Sequence, residues 1–246
     1  MGHAYTNHTV SLVDKPFRSS TDTPQAGYVS PMTDLTDLPA PVRLTINGDD
    51  RSFPVGRIFC IGRNYAAHAA EMGSAPEPIF FMKPGSAATQ AVEIAYPGQT
   101  EDLHHEIELV LALGKDGEII ACGAGVDLTR RDLQARMKSK GAPWEIGKGF
   151  DNSAILAPLQ IGNGPREGYI KLSVNGQERQ SGRLEDMILP PDDMVAALRQ
   201  YFDLLPGDLI FTGTPAGVGA LQPGDIVEGE IEGLPKLRFQ IKERAQ

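Results

Sequence analysis

The sequence predicts an α+β fold that is mostly β, with a few short helices. Glycine (27) and proline (19) are abundant among the 246 residues while aromatic residues make up 7%, which favours turns and short strands over a helical bundle. Two stretches, residues 42–48 and 170–176, alternate apolar and polar residues up to an Asn-Gly pair, and each predicts a β-hairpin. The hydrophobic content of 41% is ample for one large core, or for a main domain with a small one.

The chain is predicted to consist of an N-terminal region and a main domain. Residues 1–40 are polar, rich in Pro, Ser and Thr, and show no periodicity, which predicts an extended arm. Residues 41–55 add the first hairpin, so that residues 1–55 form an arm with a small hairpin. Residues 56–246 are interpreted as the main, functional domain.

Charge and composition exclude several classes of partner. The net charge is −9 and no basic stripe is visible, so nucleic acid is not an expected ligand. The sequence has neither an 18-residue apolar run nor an apolar N-terminal segment, so we expect no membrane span and no secretory signal. Cys60 and Cys122 lie in apolar runs and are predicted to be buried, unbridged residues of a cytoplasmic protein.

The stretch from residue 103 to 109 is the strongest indication of a functional site. It is predicted to be a strand with Ile107 and Leu109 on one face and Glu106 and Glu108 on the other. Two carboxylates so close together are unfavourable unless a cation lies between them or one is protonated. Asp127 ends a second apolar run and could lie beside them. The pattern predicts a divalent metal ion held by these three carboxylates, a donor set that suits Mg²⁺ or Mn²⁺.

Two other interpretations of this stretch stay open. The E-x-E pattern is also typical of a solvated strand face, and Glu228, Glu230 and Glu232 are predicted to form such a face. His104 is predicted on the same face as Glu106, so a transition-metal site of histidine and carboxylates is the alternative to an all-oxygen site.

A second candidate group lies in the alanine-rich stretch of residues 64–72, which predicts a helix ended by Gly73. His68 and Glu71 are three residues apart and share a helix face. A carboxylate beside an imidazole raises its basicity and fixes its tautomer, as a general base acting on water requires. An ordinary helix-surface pair is the alternative.

Three loop segments complete the candidate site. Lys148 lies between two glycines, which let the backbone approach a ligand closely, although a flexible turn with a solvated lysine is equally compatible. Lys83 ends a predicted strand before Pro-Gly and is interpreted as a site residue or a loop cation. Residues 212–219 lack the features of a phosphate or dinucleotide loop, but their threonine hydroxyls and free N–H groups could hold a carboxylate.

Two helix starts are also predicted. Residues 129–132 have the pattern of a capping box that opens a helix to about Lys138, and residues 190–193 place proline and acidic residues at the start of another. The predicted apolar stripe of the second helix comprises Met194, Val195, Leu198, Tyr201 and Phe202.

The order of these motifs resembles the fumarylacetoacetate hydrolase family over about residues 56–246. The motifs are Gly62-Arg63-Asn64-Tyr65 with His68 and Glu71; Phe81-Met82-Lys83-Pro84; residues 104–109; Asp127 with Thr129, Arg131, Asp132 and Gln134; Lys148-Gly149-Phe150-Asp151; Val174-Asn175-Gly176 with Arg179-Gln180; and Thr212-Gly213-Thr214 with Gly217-Val218-Gly219. Within the family, the first motif and the Pro143-Trp144 to Asp151 stretch are most similar to the acylpyruvate and fumarylpyruvate hydrolases.

The resemblance implies a rolled mixed β-sandwich with a few short helices, usually as a homodimer. It implies Mg²⁺ or Mn²⁺ at Glu106, Glu108 and Asp127, and a water-activating dyad at His68 and Glu71. It further implies that a catalytic lysine, Lys148, and the substrate contacts Arg131, Gln134 and Thr214 surround the ion. Arg63 and Lys83 are two additional candidate substrate contacts. Position 67, often acidic in the family, is Ala67 here, which leaves the dyad intact but alters how its segment docks.

The implied activity is hydrolysis of a carbon–carbon bond in a 2,4-dioxo acid such as fumarylpyruvate, giving pyruvate and a carboxylic acid in aromatic-compound catabolism. The same metal–enolate site would also serve an oxaloacetate decarboxylase or tautomerase, or a 2-oxo-acid isomerase or hydratase. A non-catalytic module that binds small oxo acids is the alternative from another class, and the intact set of acids, dyad and lysine argues against it.

Overall fold

The computed structural model describes residues 36–37, 39–73 and 77–244. The chain divides into two units, residues 1–39 and 40–246, and the elements below belong to the second. The predicted N-terminal arm therefore lies almost entirely outside the described residues. The predicted boundary between residues 55 and 56 stays a prediction.

The second unit is built mainly of short strands, in agreement with the predicted mostly β class. The strands are β1 (Arg43–Ile46), β2 (Asp49–Pro54), β3 (Ile58–Gly62), β4 (Ile79–Lys83), β5 (Ala88–Thr89), β6 (Glu93–Ala95), β7 (Leu103–His105), β8 (Ile107–Leu113), β9 (Ile119–Asp127), β10 (Thr129–Arg130), β11 (Ala154–Leu156), β12 (Gln160–Ile161), β13 (Tyr169–Val174), β14 (Gln177–Arg183), β15 (Leu209–Phe211), β16 (Gly219–Leu221), β17 (Ile226–Ile231) and β18 (Leu237–Lys242). The α-helices are α1 (Ala66–Glu71), α2 (Arg131–Ser139), α3 (Glu145–Lys148) and α4 (Pro191–Leu198).

Two mixed sheets carry the core. The larger has the order β4-β3-β15-β8-β9-β11-β5, with β12 beside β9, and the smaller has the order β14-β13-β17-β18-β6. Neighbouring strands are antiparallel except for three parallel pairs, β3–β15, β5–β11 and β6–β18. A small sheet of β10, β7 and β16 and the β1–β2 hairpin complete the fold. The prediction of a mostly β, mixed-sheet α+β fold is confirmed.

Strand β8 lies in the middle of the larger sheet and is buried on both faces. Ile107 and Leu109 belong to the core shared with the smaller sheet, as their alternation predicted. Val110 and Ala112 belong to a second apolar cluster, which includes residues of the β1–β2 hairpin. Glu108 shares the side of Val110, because side chains alternate along a strand, and is therefore carried into the interior instead of into solvent.

The stretch predicted as one strand, residues 103–109, is two strands that belong to different sheets. Strand β7 pairs with β10 and β16, whereas β8 pairs with β9 and β15. The chain changes sheets at Glu106, which is in neither strand. A period-2 pattern continues through such a junction, so it does not reveal the change.

The predicted capping box at residues 129–132 is wrong. Thr129 is in β10, where it pairs with His104, and its hydroxyl accepts a hydrogen bond of 2.6 Å from Lys148 Nζ. Helix α2 starts at Arg131, and no side chain caps it. Asp132 accepts the N–H of Leu133 at 2.8 Å instead. Tertiary contacts thus outweigh the local capping signal.

The predicted apolar stripe of α4 is confirmed except at Tyr201, because Phe202, beyond the end of the helix, also packs against the core at a ring-centroid distance of 5.0 Å from Phe59. Met194, Val195 and Leu198 are buried, but the helix ends at Leu198. Tyr201 follows in a turn and is 70% exposed, against the ring of Phe80 at a centroid distance of 6.3 Å. Because the helical period stops before it, Tyr201 does not share the buried face.

Two further expectations concern the cysteines and the membrane. Cys60 and Cys122 are both buried and unbridged, as predicted. Within the ranges that the structure describes, each helix is too short or too polar to cross a bilayer.

Candidate metal and substrate site

Three carboxylates from two neighbouring strands converge inside the larger sheet. Glu106 precedes β8, Glu108 is its second residue, and Asp127 ends β9. The pairing of β8 with β9 brings them together: the Asp127 N–H donates to the Glu106 carbonyl at 2.9 Å. One carboxylate oxygen of each residue lies within 4.8 Å of the others. Their exposed fractions are only 5%, 2% and 0%, so water does little to screen them.

Cations from other segments neutralise two of these acids. Lys148 Nζ donates to Glu106 Oε2 and to Asp127 Oδ2, both at 2.7 Å, and Arg131 donates to Glu106 Oε1. Burial alone would raise the pKa of Glu106, but the charges of Lys148 and Arg131 outweigh it and hold that pKa well below its usual range. Burial would lower the pKa of Lys148, and Asp127 and Glu106 raise it instead.

Glu108 is the exception among the three. Its Oε2 accepts the N–H of Gly213 at 2.7 Å, but no lysine or arginine of the described ranges forms an ion pair with it. Burial, followed by the charges of Asp127 and Glu106, raises its pKa well above the usual value. A buried carboxylate in this setting is stable only with a proton or an additional cation.

The residues present fit a hard divalent ion. The donors are carboxylate oxygens, they are buried and convergent, and Glu108 takes part in no ion pair within the described part of the chain. Asp127 Oδ1 forms a buried ion pair with Lys83 Nζ at 2.8 Å. An all-oxygen set of this kind suits Mg²⁺ or Mn²⁺.

His104 is outside this cluster, contrary to the alternative of a histidine-containing site. Its Nε2 lies 2.9 Å from Asp102 Oδ1, and its Nδ1 lies 3.4 Å from Arg131 Nε. The change of sheet at Glu106 breaks the alternation that placed His104 beside the glutamates. The described residues thus bring together three carboxylates without a histidine.

The predicted pair of His68 and Glu71 is present on α1. His68 Nδ1 lies 3.3 Å from Glu71 Oε2, and the imidazole is only 7% exposed. Both Glu71 oxygens also lie 3.2 Å from the N–H of Gly217, which links α1 to the glycine-rich loop of residues 212–219. With its Nδ1 proton directed at Glu71, His68 keeps Nε2 as the basic nitrogen.

Thr214 is held by Gln180, a residue that we did not predict as functional. Gln180 Oε1 accepts the Ile107 N–H at 3.1 Å, and its Nε2 donates to the Pro215 carbonyl at 2.9 Å. Since a backbone N–H only donates and a carbonyl only accepts, these bonds fix the orientation of the amide. Gln180 Nε2 must therefore be the donor to Thr214 Oγ1, at 2.7 Å. The Thr214 hydroxyl proton is left for another acceptor.

His105 completes this buried network. Its Nδ1 lies 2.9 Å from Gln180 Oε1, and because that oxygen only accepts, Nδ1 carries the proton. Burial lowers the pKa of His105, which favours the neutral ring. The sequence offered only one signal for Gln180, its place in the Arg179-Gln180 motif. Nothing local indicates that it is the fully buried side chain of the otherwise exposed strand β14.

The two predicted lysines are more enclosed than a solvated loop would make them. Lys148 uses all three of its N–H groups, on Glu106, Asp127 and the Thr129 hydroxyl. Lys83 is 1% exposed and donates to Ser153 Oγ at 2.9 Å and to the Lys148 carbonyl, beside its contact with Asp127. Lys83 thus lies behind the carboxylates and holds the segment that carries Lys148.

One cavity unites most of the predicted site. All of the predicted site residues except Glu71, Lys83 and Asp127 line it. The volume that atoms do not occupy, including the part open to solvent, is about 530 Å³. Apolar residues form the remaining wall: Ile61, Met72, Ile79, Phe81 and Trp144.

Comparison with known proteins identifies the family of this chain. Residues 57–242 match the model of the fumarylacetoacetate (FAA) hydrolase C-terminal domain. The chain therefore belongs to the fumarylacetoacetate hydrolase family, as the order of its motifs predicted.

Similar proteins include enzymes with two different names. The crystal structure of fumarylpyruvate hydrolase from Pseudomonas aeruginosa, in complex with Mn²⁺ and pyruvate, is 44% identical, covers 86% of this chain and 100% of that chain, and superposes with a TM-score of 0.84. Fumarylpyruvate hydrolase of a Ralstonia species is 38% identical over 182 residues, 68% of this chain and 94% of that protein. Oxaloacetate tautomerase YcgM of Escherichia coli is 38% identical over 198 residues, 74% of this chain and 90% of that protein.

Proposed function

We propose that this protein is a metal-dependent hydrolase that cleaves a carbon–carbon bond in a 2,4-dioxo acid, fumarylpyruvate or another acylpyruvate. The observation that carries the proposal is that His68, paired with Glu71, lines the same cavity as Glu106 and Glu108. A base for water thus lies beside a candidate metal site. The relatives named fumarylpyruvate hydrolase, one of them a complex with Mn²⁺ and pyruvate, support the same activity.

Glu106, Glu108 and Asp127 are the residues that would hold Mg²⁺ or Mn²⁺. A bound divalent ion would polarise the oxo groups of the substrate and favour the enolate of the leaving pyruvate. Lys148 and Arg131 would keep Glu106 ionised, because their charges lower its pKa despite burial. Lys83 and Lys148 would orient Asp127 through contacts of 2.8 and 2.7 Å.

His68 is the proposed general base. It would take a proton from water as the oxygen adds to the distal carbonyl carbon, while Glu71 stabilises the imidazolium. The bond between that carbon and the adjacent methylene then breaks, and its electron pair leaves on the pyruvate enolate. The enolate takes up a proton at carbon, so that one water molecule is consumed and pyruvate and a carboxylic acid are released.

Thr214, Arg131 and Gln134 are the proposed contacts for the 2-oxo acid end. The hydroxyl of Thr214 has its proton to give, because its oxygen already accepts from Gln180. Lys148 remains the proposed donor to the oxyanion. Since its three N–H groups are already used, we expect Lys148 to take that role only after it releases one of these bonds.

Oxaloacetate tautomerisation is the second candidate, favoured by the similarity to the Escherichia coli tautomerase. Tautomerisation moves a proton between carbon and oxygen and needs no attacking water. Glu106, Glu108 and Asp127 would hold the metal ion in that reaction too. Thr214, Arg131 and Gln134 would again contact the carboxylate of the substrate. Decarboxylation of oxaloacetate would likewise need a stabilised enolate but no water-activating base.

A panel of substrates separates these functions. Fumarylpyruvate, acetylpyruvate and oxaloacetate would be assayed with Mg²⁺, with Mn²⁺ and with a chelator, for the native protein and for His68→Ala. We expect hydrolysis to require the metal and to fall by about 10²- to 10⁴-fold in His68→Ala, while any decarboxylation of oxaloacetate is spared. Hydrolysis that survives His68→Ala would overturn the role of the dyad. Turnover of oxaloacetate alone would favour the second candidate.

Three broader expectations belong to the same proposal. We expect a homodimer, a cytoplasmic location, and a place in the breakdown of aromatic compounds, where acylpyruvates arise as ring-cleavage products. Size-exclusion chromatography with light scattering would test the first.

A further inference from the structure

Arg63 differs from the other cations that line the cavity. Lys148 and Arg131 contact Glu106 or Asp127, and Lys138 donates to the Met72 carbonyl at 3.5 Å. The side chain of Arg63 forms no hydrogen bond or ion pair with any residue in the described ranges, although it lies in the cavity wall. Its charge is therefore available to a ligand.

The backbone holds Arg63 at this position. Its φ is 62°, in the left-handed region, which a non-glycine residue keeps only where the surrounding structure imposes it. The next residue, Asn64, is fully buried, and its Nδ2 donates to the carbonyls of Thr212 at 2.8 Å and Leu189 at 3.0 Å. Its Oδ1 accepts the Leu189 N–H at 2.7 Å. Arg63 thus extends from a rigidly anchored turn.

The apolar cavity wall favours a ligand with a carboxylate over a neutral ligand at Arg63. Ile61, Ile79, Phe81 and Trp144 line the same cavity, and in such apolar surroundings a charge interacts more strongly than in water. A guanidinium offers a planar pair of donors that matches a carboxylate. A neutral, apolar group would leave it without a partner, at a cost.

We propose that Arg63 binds a carboxylate at the distal end of the substrate, so that this enzyme acts on dicarboxylates. An acylpyruvate whose acyl group ends in a carboxylate, as the fumaryl group does, is the substrate class; one that ends in a methyl group is poor. The inference rests on the proposed function and names its substrate. Asn64 donates to the carbonyl of Thr212, two residues before Thr214, so the segment that carries Arg63 is joined to the loop that carries Thr214.

The first test compares two substrates in three variants. The ratio of kcat/KM for fumarylpyruvate over acetylpyruvate is measured for the native protein, Arg63→Met and Arg63→Lys. Arg63→Met should lower the ratio by about 10- to 100-fold, the size of a lost hydrogen bond to a charged group. Arg63→Lys should retain most of it. Arg43→Met, which removes a charge from an exposed strand position, should leave the ratio unchanged.

A binding test does not depend on turnover. Trp144 is the only tryptophan of the chain and lines the cavity, so its fluorescence reports occupancy. The probes are 2-oxoglutarate and 2-oxopentanoate, which have the same chain length and differ in the distal carboxylate. We expect the native protein to prefer the diacid and Arg63→Met to lose that preference.

Two results would overturn the inference: no preference of the native protein for the diacid, or an equal loss for both probes in Arg63→Met. If no acylpyruvate is hydrolysed but the preference depends on Arg63, the proposed function fails and the role of Arg63 stands.

Discussion

Two strands of this protein carry the same E-x-E pattern with opposite results. Glu106, just before β8, and Glu108, its second residue, are 5% and 2% exposed and converge with Asp127. Glu228 and Glu230, on β17, lie on the outer face of the smaller sheet, and Arg238 Nε lies 3.4 Å from Glu228 on the neighbouring strand. The pattern therefore fixes which side of a strand the acids occupy, but not how deeply that side is buried.

How deeply the acids are buried depends on the position of each strand in its sheet and on the residues that cover that strand. Strand β8 has apolar clusters on both sides, so its acids are enclosed and need cations from distant segments, Lys148 and Arg131. Strand β17 covers the core with Val227 and Ile231 only, and its acids face water, where ordinary surface pairs suffice. Function is expected where the acids are enclosed.

The largest expected effect distinguishes the two patterns directly. Glu108→Gln removes a proposed metal ligand while it keeps the shape, and activity should fall by more than about 100-fold, since losing outer-shell partners alone costs about 10- to 100-fold. Glu228→Gln is the matched change on the solvated strand and should keep activity within about twofold. Steady-state kinetics on the same substrate measures both. Equal effects in the two variants would remove the basis of the comparison.

The metal should also stabilise the fold through the buried acids. At a Mn²⁺ concentration of about 100 times Kd, binding adds about 2.7 kcal/mol to the free energy of unfolding, which raises Tm by about 5–10 °C in a domain of this size. Differential scanning calorimetry with and without chelator measures the shift. Glu228→Gln should show the same shift, and Glu108→Gln should show little or none.

A smaller effect on activity is expected from Gln180, which is not one of the three acids but holds Thr214. In Gln180→Glu the new carboxylate cannot donate to Thr214, whose hydroxyl would turn toward it and away from the ligand. We expect KM to rise about tenfold with a smaller change in kcat, and Thr214→Val to add little in combination, because both act through one bond. Glu178→Gln, an exposed change on the same strand, is the control. A simple sum of the two effects on KM would contradict this positioning role.

The smallest effect is expected on the solvated strand itself. The pair of Glu228 and Arg238 is more than half-exposed on the arginine side, and exposed pairs contribute about 0–1 kcal/mol. Glu228→Ala should therefore change the free energy of unfolding, measured by urea denaturation, by less than about 1 kcal/mol. A larger loss would mean that β17 depends on this acid in a way that its exposure does not indicate.

The sequence predicted those features that depend on local order or on the motif series. The strand alternation of Ile107 and Leu109, the helix that carries His68 and Glu71, and the approach of Asp127 to Glu106 were all expected and are present. They follow from periods of 2 and 3.6 residues, from turn residues, and from the family resemblance.

The features that were missed depend on distant pairings. The chain changes sheets at Glu106 because β7 finds its partners in β10 and β16, and Thr129 does not cap α2 because Lys148 contacts its hydroxyl. Gln180 reaches His105 across 75 residues of sequence. No local period encodes such contacts, so only the folded structure reveals which polar residues support the site.

Titration with Mn²⁺, followed by the loss of the free-ion signal in electron paramagnetic resonance, tests the central claim most directly. The native protein and Glu228→Gln should each bind one ion per chain with the same affinity, and Glu108→Gln should bind it more weakly by at least about 100-fold. Unchanged Mn²⁺ affinity in Glu108→Gln would contradict a metal site built from Glu106, Glu108 and Asp127.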